Sequence, residues 1–261
     1  MGVSMKNKER NEICKLKYEG KVFQTKFNGD VVVLQYENSK NVKVKFLDTG
    51  NIVTTCVSHL NAGLIKDKQR PSVCGVGICD ILCSRGGEST KEYGHWAEML
   101  NRCYSKARKR TARSYSSCEV SETFKYLSKF SKWCNEQIGF NFKDDKGKPF
   151  QLDKDILIKD NKIYSEETCA FVPQEVNLLF VKREKSRGDY PIGVRFYKVS
   201  GMFRAIYNNK QSEHFKTPEE AFCVYKEAKE AYVKEVATKW KDQIDPRVYE
   251  ALMHYRVEIT D

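Results

Sequence analysis

The chain is predicted to adopt an α+β fold. It comprises a small antiparallel β-barrel at the N-terminus, a central helical segment leading into a compact strand-strand-helix unit, and a C-terminal three-stranded sheet packed on a helix. Three observations predict it. Strand-like runs rich in β-branched residues, punctuated by Asn28-Gly29 and Gly50-Asn51, fill residues 20–77. From about His95 the apolar residues recur at three- and four-residue steps instead. Near the C-terminus, three short strand-like runs precede a strong helix start at Thr217-Pro218-Glu219-Glu220. The corresponding domains are 1–83, 90–181 and 188–261.

In the first region the runs VFQTKF, DVVVLQY, NVKVKFL and NIVTTCV partly alternate apolar with polar residues, the pattern of a small antiparallel barrel or sheet. The polar, glycine-containing stretch Ser84-Arg85-Gly86-Gly87-Glu88-Ser89 is the natural boundary. Beyond it, His95, Trp96, Met99, Leu100 and Cys103 predict one amphipathic helix. Val120, Phe124, Leu127, Phe130, Trp133 and Cys134 predict a second. Between them lie Lys106, Arg108, Lys109, Arg110 and Arg113 with no acid among them, flanked by Tyr104 and Tyr115. Such a run is either a solvated face or a phosphate contact.

Residues 151–179 read as a strand ending at Asp153-Lys154-Asp155, a turn through Asp160-Asn161, a second strand Lys162 to Tyr164, and a helix after Pro173. The C-terminal strands are PIGVRFYKV, MFRAIYNN and SEHF, with a turn at Ser200-Gly201. In the following helix Ala221, Tyr225, Ala228, Tyr232 and Trp240 make a core stripe. Asp245-Pro246 starts a last helix with an apolar face of Val248, Tyr249, Leu252 and Met253.

Composition narrows the function. Among 261 residues, 46 Lys and Arg against 35 Asp and Glu give a formal net charge of +11, which favours polyanionic partners, nucleic acid first. No run approaches the roughly 18 to 20 apolar residues of a membrane span, and residues 1–13 lack a secretory apolar stretch. A cytosolic protein with reduced thiols and no membrane partner is expected. Of the dense group Cys74, Cys79 and Cys83, only the last two approach zinc-ligand spacing, and no histidine lies near them, so no structural zinc is expected. His59, His95, His214 and His254 stand at no catalytic or metal spacing.

Several segments, in chain order, resemble a known family. VKVKFLDTG is similar to the small Src-homology-like barrels at the front of phage HNH proteins. Trp96, Met99, Arg102, Cys103 and Tyr104, then Phe124, Phe130 and Trp133, then Leu152-Asp153 resemble the helices and core of HNH nucleases of phage type. Gly193-Val194, Phe203, Ala205-Ile206, Phe215 and Thr217 to Ala221 resemble the plant ethylene-response-type DNA-binding domain. In that domain a tryptophan stands where this chain has Phe203, and Leu-Gly where it has Glu213-His214.

The resemblance implies a ββα-metal core in which Asp153 is the metal ligand, Thr168 takes the place of a loop-pinning asparagine, and Asn177 is a second ligand. The residue that in the family is a histidine base is here Lys154. Asp153, Lys154 and Asn177 are thus the candidate catalytic residues, with Mg²⁺ or Mn²⁺ as cofactor. Two oxygens suit a hard cation that keeps water and phosphate in its shell. Arg108, Lys109, Arg110, Arg113, Arg195, Tyr197, Arg204, Tyr207 and Lys210 are the candidate DNA contacts. Alternation alone does not fix which of the C-terminal ones face DNA.

A lysine between two aspartates stays protonated, since its ordinary pKa is about 10.4 and carboxylates favour its charged form. It cannot then accept a proton, although it can orient water or stabilise charge. The implied function is a metal-dependent, site-preferring endonuclease of double-stranded DNA, of phage or mobile-element type and acting in the host cytoplasm. The alternative is a catalytically inactive, nuclease-derived DNA-binding protein, a regulator or counter-defence factor. An RNA-binding role ranks third, because no aromatic strand signature for RNA is present.

Overall fold

The computed structural model describes residues 2–111, 117–180, 189–208 and 210–261, with side chains described from residue 9 on and not for 109–111. The fold is mixed α and β. The chain divides into two compact units, one formed by Met1–Arg108 with Lys125–Phe130 and the other by Lys109–Phe124 with Ser131–Asp261. Among the described residues, no helix is long and apolar enough to cross a membrane.

The first unit opens with helix α1 (Gly2–Tyr18) and the strands β1 (Val22–Gln24), β2 (Asp30–Asn38), β3 (Asn41–Phe46) and β4 (Ile52–Thr55). These strands form an antiparallel sheet in sequence order. The expected barrel is therefore an open sheet: among the described residues β1 and β4 are its edges and do not pair to close it. Four strands are too few to curl a sheet onto itself. One face is covered instead by α1, whose Tyr18 stacks on Phe23 and Tyr36. Strand β3 alternates strictly, burying Val42, Val44 and Phe46 and exposing Asn41, Lys43 and Lys45.

Helix α2 (Val57–Ala62) ends at Gly63 in the left-handed conformation. A β-carbon there would lie 3.0 Å from the Gln24 carbonyl oxygen. Two small hairpins follow, β5 (Pro71–Val73) with β6 (Gly77–Ile78), and β7 (Ser84–Arg85) with β8 (Glu88–Ser89). The predicted connector at 84–89 is the second of these and lies inside the first unit. Helix α3 (Lys91–Tyr104), capped by Thr90, buries Trp96, Met99, Leu100 and Cys103 as its periodicity predicts. Helix α4 (Lys106–Thr111) carries Lys106, Arg108, Lys109 and Arg110 of the basic run.

Strand β9 (Glu119–Val120), in the second unit, takes residues expected in a helix, and helix α5 (Leu127–Glu136) begins only later, its first residues belonging to the first unit. Strands β10 (Gln151–Asp153), β11 (Ile163–Tyr164) and β12 (Ala170–Val172) precede helix α6 (Gln174–Leu178), whose N-cap is Pro173. The strand-strand-helix unit forms, but with a different second strand. β10 pairs antiparallel with β12, while β11 pairs parallel with β9. Burial explains the choice: every residue of β12 is buried, whereas Ile163 of β11 is exposed. Phe171 of β12 packs on Trp133 and Phe140, with centroids 5.7 and 5.1 Å apart.

The C-terminal sheet contains β13 (Val194–Tyr197), β14 (Met202–Tyr207) and β15 (Lys210–Gln211), in that order. The third strand is thus earlier than the SEHF run, which adds a bridge from Phe215 to Phe203 and a bond from the Ser212 N–H to the Ala205 carbonyl. Helix α7 (Pro218–Trp240) starts with the predicted capping box of Thr217 and Glu220, and α8 (Pro246–Met253) with the Asp245 cap. Near its start α7 sets Phe222 and Tyr225 against Ala205 of the sheet. Near its end Trp240 meets Phe150 edge-on and donates to Glu175 of α6 at 2.8 Å. Between these contacts the Lys229 ammonium donates to the Leu179 carbonyl at 2.8 Å.

Candidate functional site

At the end of β10 the Asp153 carboxylate turns the chain. Its Oδ1 accepts from the backbone N–H of Asp155 and of Ile156, both at 2.9 Å. Residues two apart on a strand share a face, so Gln151 and Asp153 point the same way. The Asn177 amide on α6 donates to Gln151 Oε1 at 2.7 Å. Asn177 is thereby tied to the face of β10 that carries Asp153, through Gln151 rather than by a direct bond. Burial first, and the neighbouring Asp155 next, push the Asp153 carboxyl up to about 6, against the pull of the turn N–H groups and of Lys154.

Lys154 points elsewhere. Its side chain is 4 % exposed, and its ammonium donates to Asp155 Oδ2 and to the Asn161 carbonyl, each at 2.8 Å. The Nζ also lies 5.9 Å from the centre of the Tyr164 ring. Burial works to lower its pKa, but the hydrogen bond to Asp155 and that group's charge overcome it, and the net direction is upward. The group is an ammonium that clamps the loop between β10 and β11.

Asn161 completes the clamp. Its amide donates to the carbonyls of Lys154 and Ile163, both at 2.7 Å. Thr168, expected to pin this loop, donates to the Ile163 carbonyl at 2.7 Å and receives the Ser165 N–H at 3.2 Å. The loop is thus held by Asn161 as well as by Thr168, and sequence reasoning took Asn161 for turn punctuation. Its signal was the Asp160-Asn161 pair itself, with Asp160 at a φ of 60°.

Among the described residues, no group of three or more His, Cys, Asp or Glu could hold a metal ion. The β10 and α6 face offers one carboxylate, Asp153, whose two hydrogen bonds both fall on Oδ1, with the amides of Gln151 and Asn177 beside it. That donor set fits a hydrated hard cation held through one carboxylate, with water and phosphate supplying the rest. It does not fit a fully protein-bound ion.

The register of the C-terminal sheet resolves which of its side chains face outward. Arg195 stands opposite Arg204, and Tyr197 opposite Met202. Because Ala205 and Val194 face α7, the set Arg195, Tyr197 and Arg204 faces away from it. Tyr207 packs on the helix side with Ala205, and its strand partner Lys210 is exposed on β15. Arg204 is braced from three sides: it donates to Gln211 Oε1 at 3.0 Å, lies 3.2 Å from His214 Nδ1, and sits 5.3 Å from the centre of the Tyr197 ring. Its Nε is buried and has no hydrogen-bond partner.

Of the central basic run, Arg108 forms an ion pair with Glu98 at 3.1 Å. Lys109 and Arg110 lie in α4, their side chains outside those described, and Arg113 and Tyr115 lie outside the described residues. The basic segment 182–188 lies outside them too. The chain matches no protein-family model, no curated protein and no solved structure.

Proposed function

We propose that this chain binds double-stranded DNA through the outward face of its C-terminal sheet, and that the β10, β12 and α6 unit is a nuclease-type core acting on that DNA. The observation that carries the reading is the Arg195 and Arg204 pair. Like charges directly opposite on a sheet are destabilising, so an anion between them is the natural complement. A three-stranded sheet presenting arginines also suits the major groove, where guanidinium groups meet guanine edges and phosphates. The net charge of +11 supports the same partner.

In the core, Asp153 and Asn177 would hold a divalent cation, whose chemistry is to neutralise charge on the phosphoryl oxygens. Gln151 orients the Asn177 amide, and the turn N–H groups fix the Asp153 carboxylate. Lys154 serves the loop rather than the water. A second reading, a DNA-binding protein without cleavage, is favoured by that one observation: the position that carries the base in the resembled family holds a buried ammonium.

One experiment tests both. The purified chain is incubated with linear and supercoiled duplex DNA with Mg²⁺ or Mn²⁺, beside Asp153→Ala. Metal-dependent cuts that vanish in the variant establish the nuclease. Saturable duplex binding without cuts in either metal establishes the second reading. No preference for duplex DNA over RNA at about 0.15 M salt, where nonspecific contacts weaken, overturns the proposal.

A further inference from the structure

Within the first unit a cavity of about 400 Å³ opens beside β4, on the side where residues 64–69 run past it. Its size lies in the range of small-molecule sites, roughly 300 to 1,000 Å³. Its frame is stiffened from below by the buried Asp67. That carboxylate accepts from the Asn51 amide at 2.8 Å, from the Gln69 N–H at 2.9 Å and from the Thr49 hydroxyl, tying the two walls together. Because the segment is extended, Leu64, Lys66 and Lys68 alternate outward while Ile65 and Asp67 are buried.

The lining is unusual in what it leaves unspent. Among the described residues, the side chains of Thr54, His59, Lys66, Lys68 and Gln69 make no hydrogen bond or ion pair. The one carboxylate on the wall, Asp80, is engaged, since it accepts from both the N–H and the hydroxyl of Ser128. Two ammonium groups two residues apart can bracket one phosphate. Leu64, 49 % exposed, supplies an apolar surface for a flat ring, and the Gln69 amide can both donate and accept at a base edge.

We infer that this cavity binds a nucleotide unit, with its phosphate at Lys66 and Lys68 and its base against Leu64 and Gln69. The site is separate from the sheet and core proposed above and does not depend on them. The nucleotide comes either free, as a nucleoside monophosphate, or as one unit of a single strand.

The test is photo-crosslinking of the full chain with 8-azidoadenosine 5′-monophosphate, and in parallel with a short single-stranded oligonucleotide carrying one 8-azidoadenosine, followed by peptide mapping. Labelling is expected within residues 51–69, competed by adenosine monophosphate but not by adenosine. It should fall about tenfold in Lys66→Ala/Lys68→Ala, the loss of about 1.4 kcal/mol of binding. Both lysines are exposed, so the variant keeps the fold, which circular dichroism checks. Labelling by the mononucleotide identifies a free ligand, and labelling by the oligonucleotide alone identifies a strand. Labelling elsewhere only, labelling unchanged in the double variant, or competition by adenosine as strong as by its phosphate overturns the inference.

Discussion

Arg195 on β13 and Arg204 on β14 stand directly opposite each other on the face of the C-terminal sheet turned away from α7. The two differ in their surroundings. Arg204 is braced by Tyr197, Gln211 and His214, whereas Arg195 is exposed and makes no hydrogen bond or ion pair among the described residues. Replacing Arg195 by Gln is expected to raise stability slightly, by about 0.2 to 1 kcal/mol, through relief of a like-charge cross-strand pair. The same change should weaken duplex DNA binding and lower the slope of log affinity against log salt by about 0.9 for a phosphate contact. Thermal melts and a salt titration of fluorescence anisotropy measure the two effects on one preparation.

Lys154 predicts a separation of stability from chemistry. Lys154→Met removes the ammonium from Asp155 and Asn161 and leaves a partly buried carbonyl without its donor, at a cost of about 1 to 3 kcal/mol. Any metal-dependent cleavage, normalised to folded protein, should stay within about threefold of the parent, a change of no more than about 0.7 kcal/mol in barrier. A loss of more than about a hundredfold without loss of stability would place Lys154 in the chemistry instead.

Gly193 sits at a φ of 75°, and a β-carbon on it would overlap the Tyr225 ring. Gly193→Ala therefore meets two penalties, a left-handed backbone and a clash against the core of the sheet. The expected loss is at least about 2 kcal/mol. Denaturant titration reads it as a lower midpoint at unchanged slope.

Asp245 caps α8 and holds Arg247 at 2.7 Å. Burial alone would raise its pKa, but the hydrogen bonds from Arg247 and its charge prevail and hold it below the ordinary 3.8. A depressed carboxylate stabilises the fold above its unfolded pKa and ceases to do so as pH falls through its folded value. Asp245→Asn keeps a capping oxygen and loses the charge, so it should cost about 1 kcal/mol at pH 7. The gap between the two proteins should close as pH drops from about 4 toward 2. Melting curves across that window measure the closure.

The parts legible in the sequence are those whose cause is local. Thr217 with Glu220, Asp245 with Pro246, and Pro173 each announced a helix start, because capping is decided within four residues. The periodicity of Trp96, Met99, Leu100 and Cys103 announced α3 in the same way. Helix α1 was missed because among its described side chains only Tyr18 is buried, with Cys14 partly so, too little to make a stripe. The pairing of β10 with β12 depends on which distant run is buried on both faces, a property of packing that no local pattern carries. The candidate site followed the same division. Asp153 and Asn177 could be named one at a time as candidates, whereas the bonds by which Gln151 holds Asn177 and Asn161 holds the loop were visible only once the strands were paired.

Helix α7 grips the sheet through Phe222 and Tyr225, and Phe150 and Glu175 through Trp240, with 3.6 residues to each turn in between. Inserting one residue between Tyr225 and Val233 would swing everything beyond it by about 100° and advance it about 1.5 Å. One of the two grips would have to let go. The chain is therefore phased along this helix like a gear on a shaft: a substitution leaves the phase as it is, whereas a change of length between the grips turns the sheet against the face that carries Asp153.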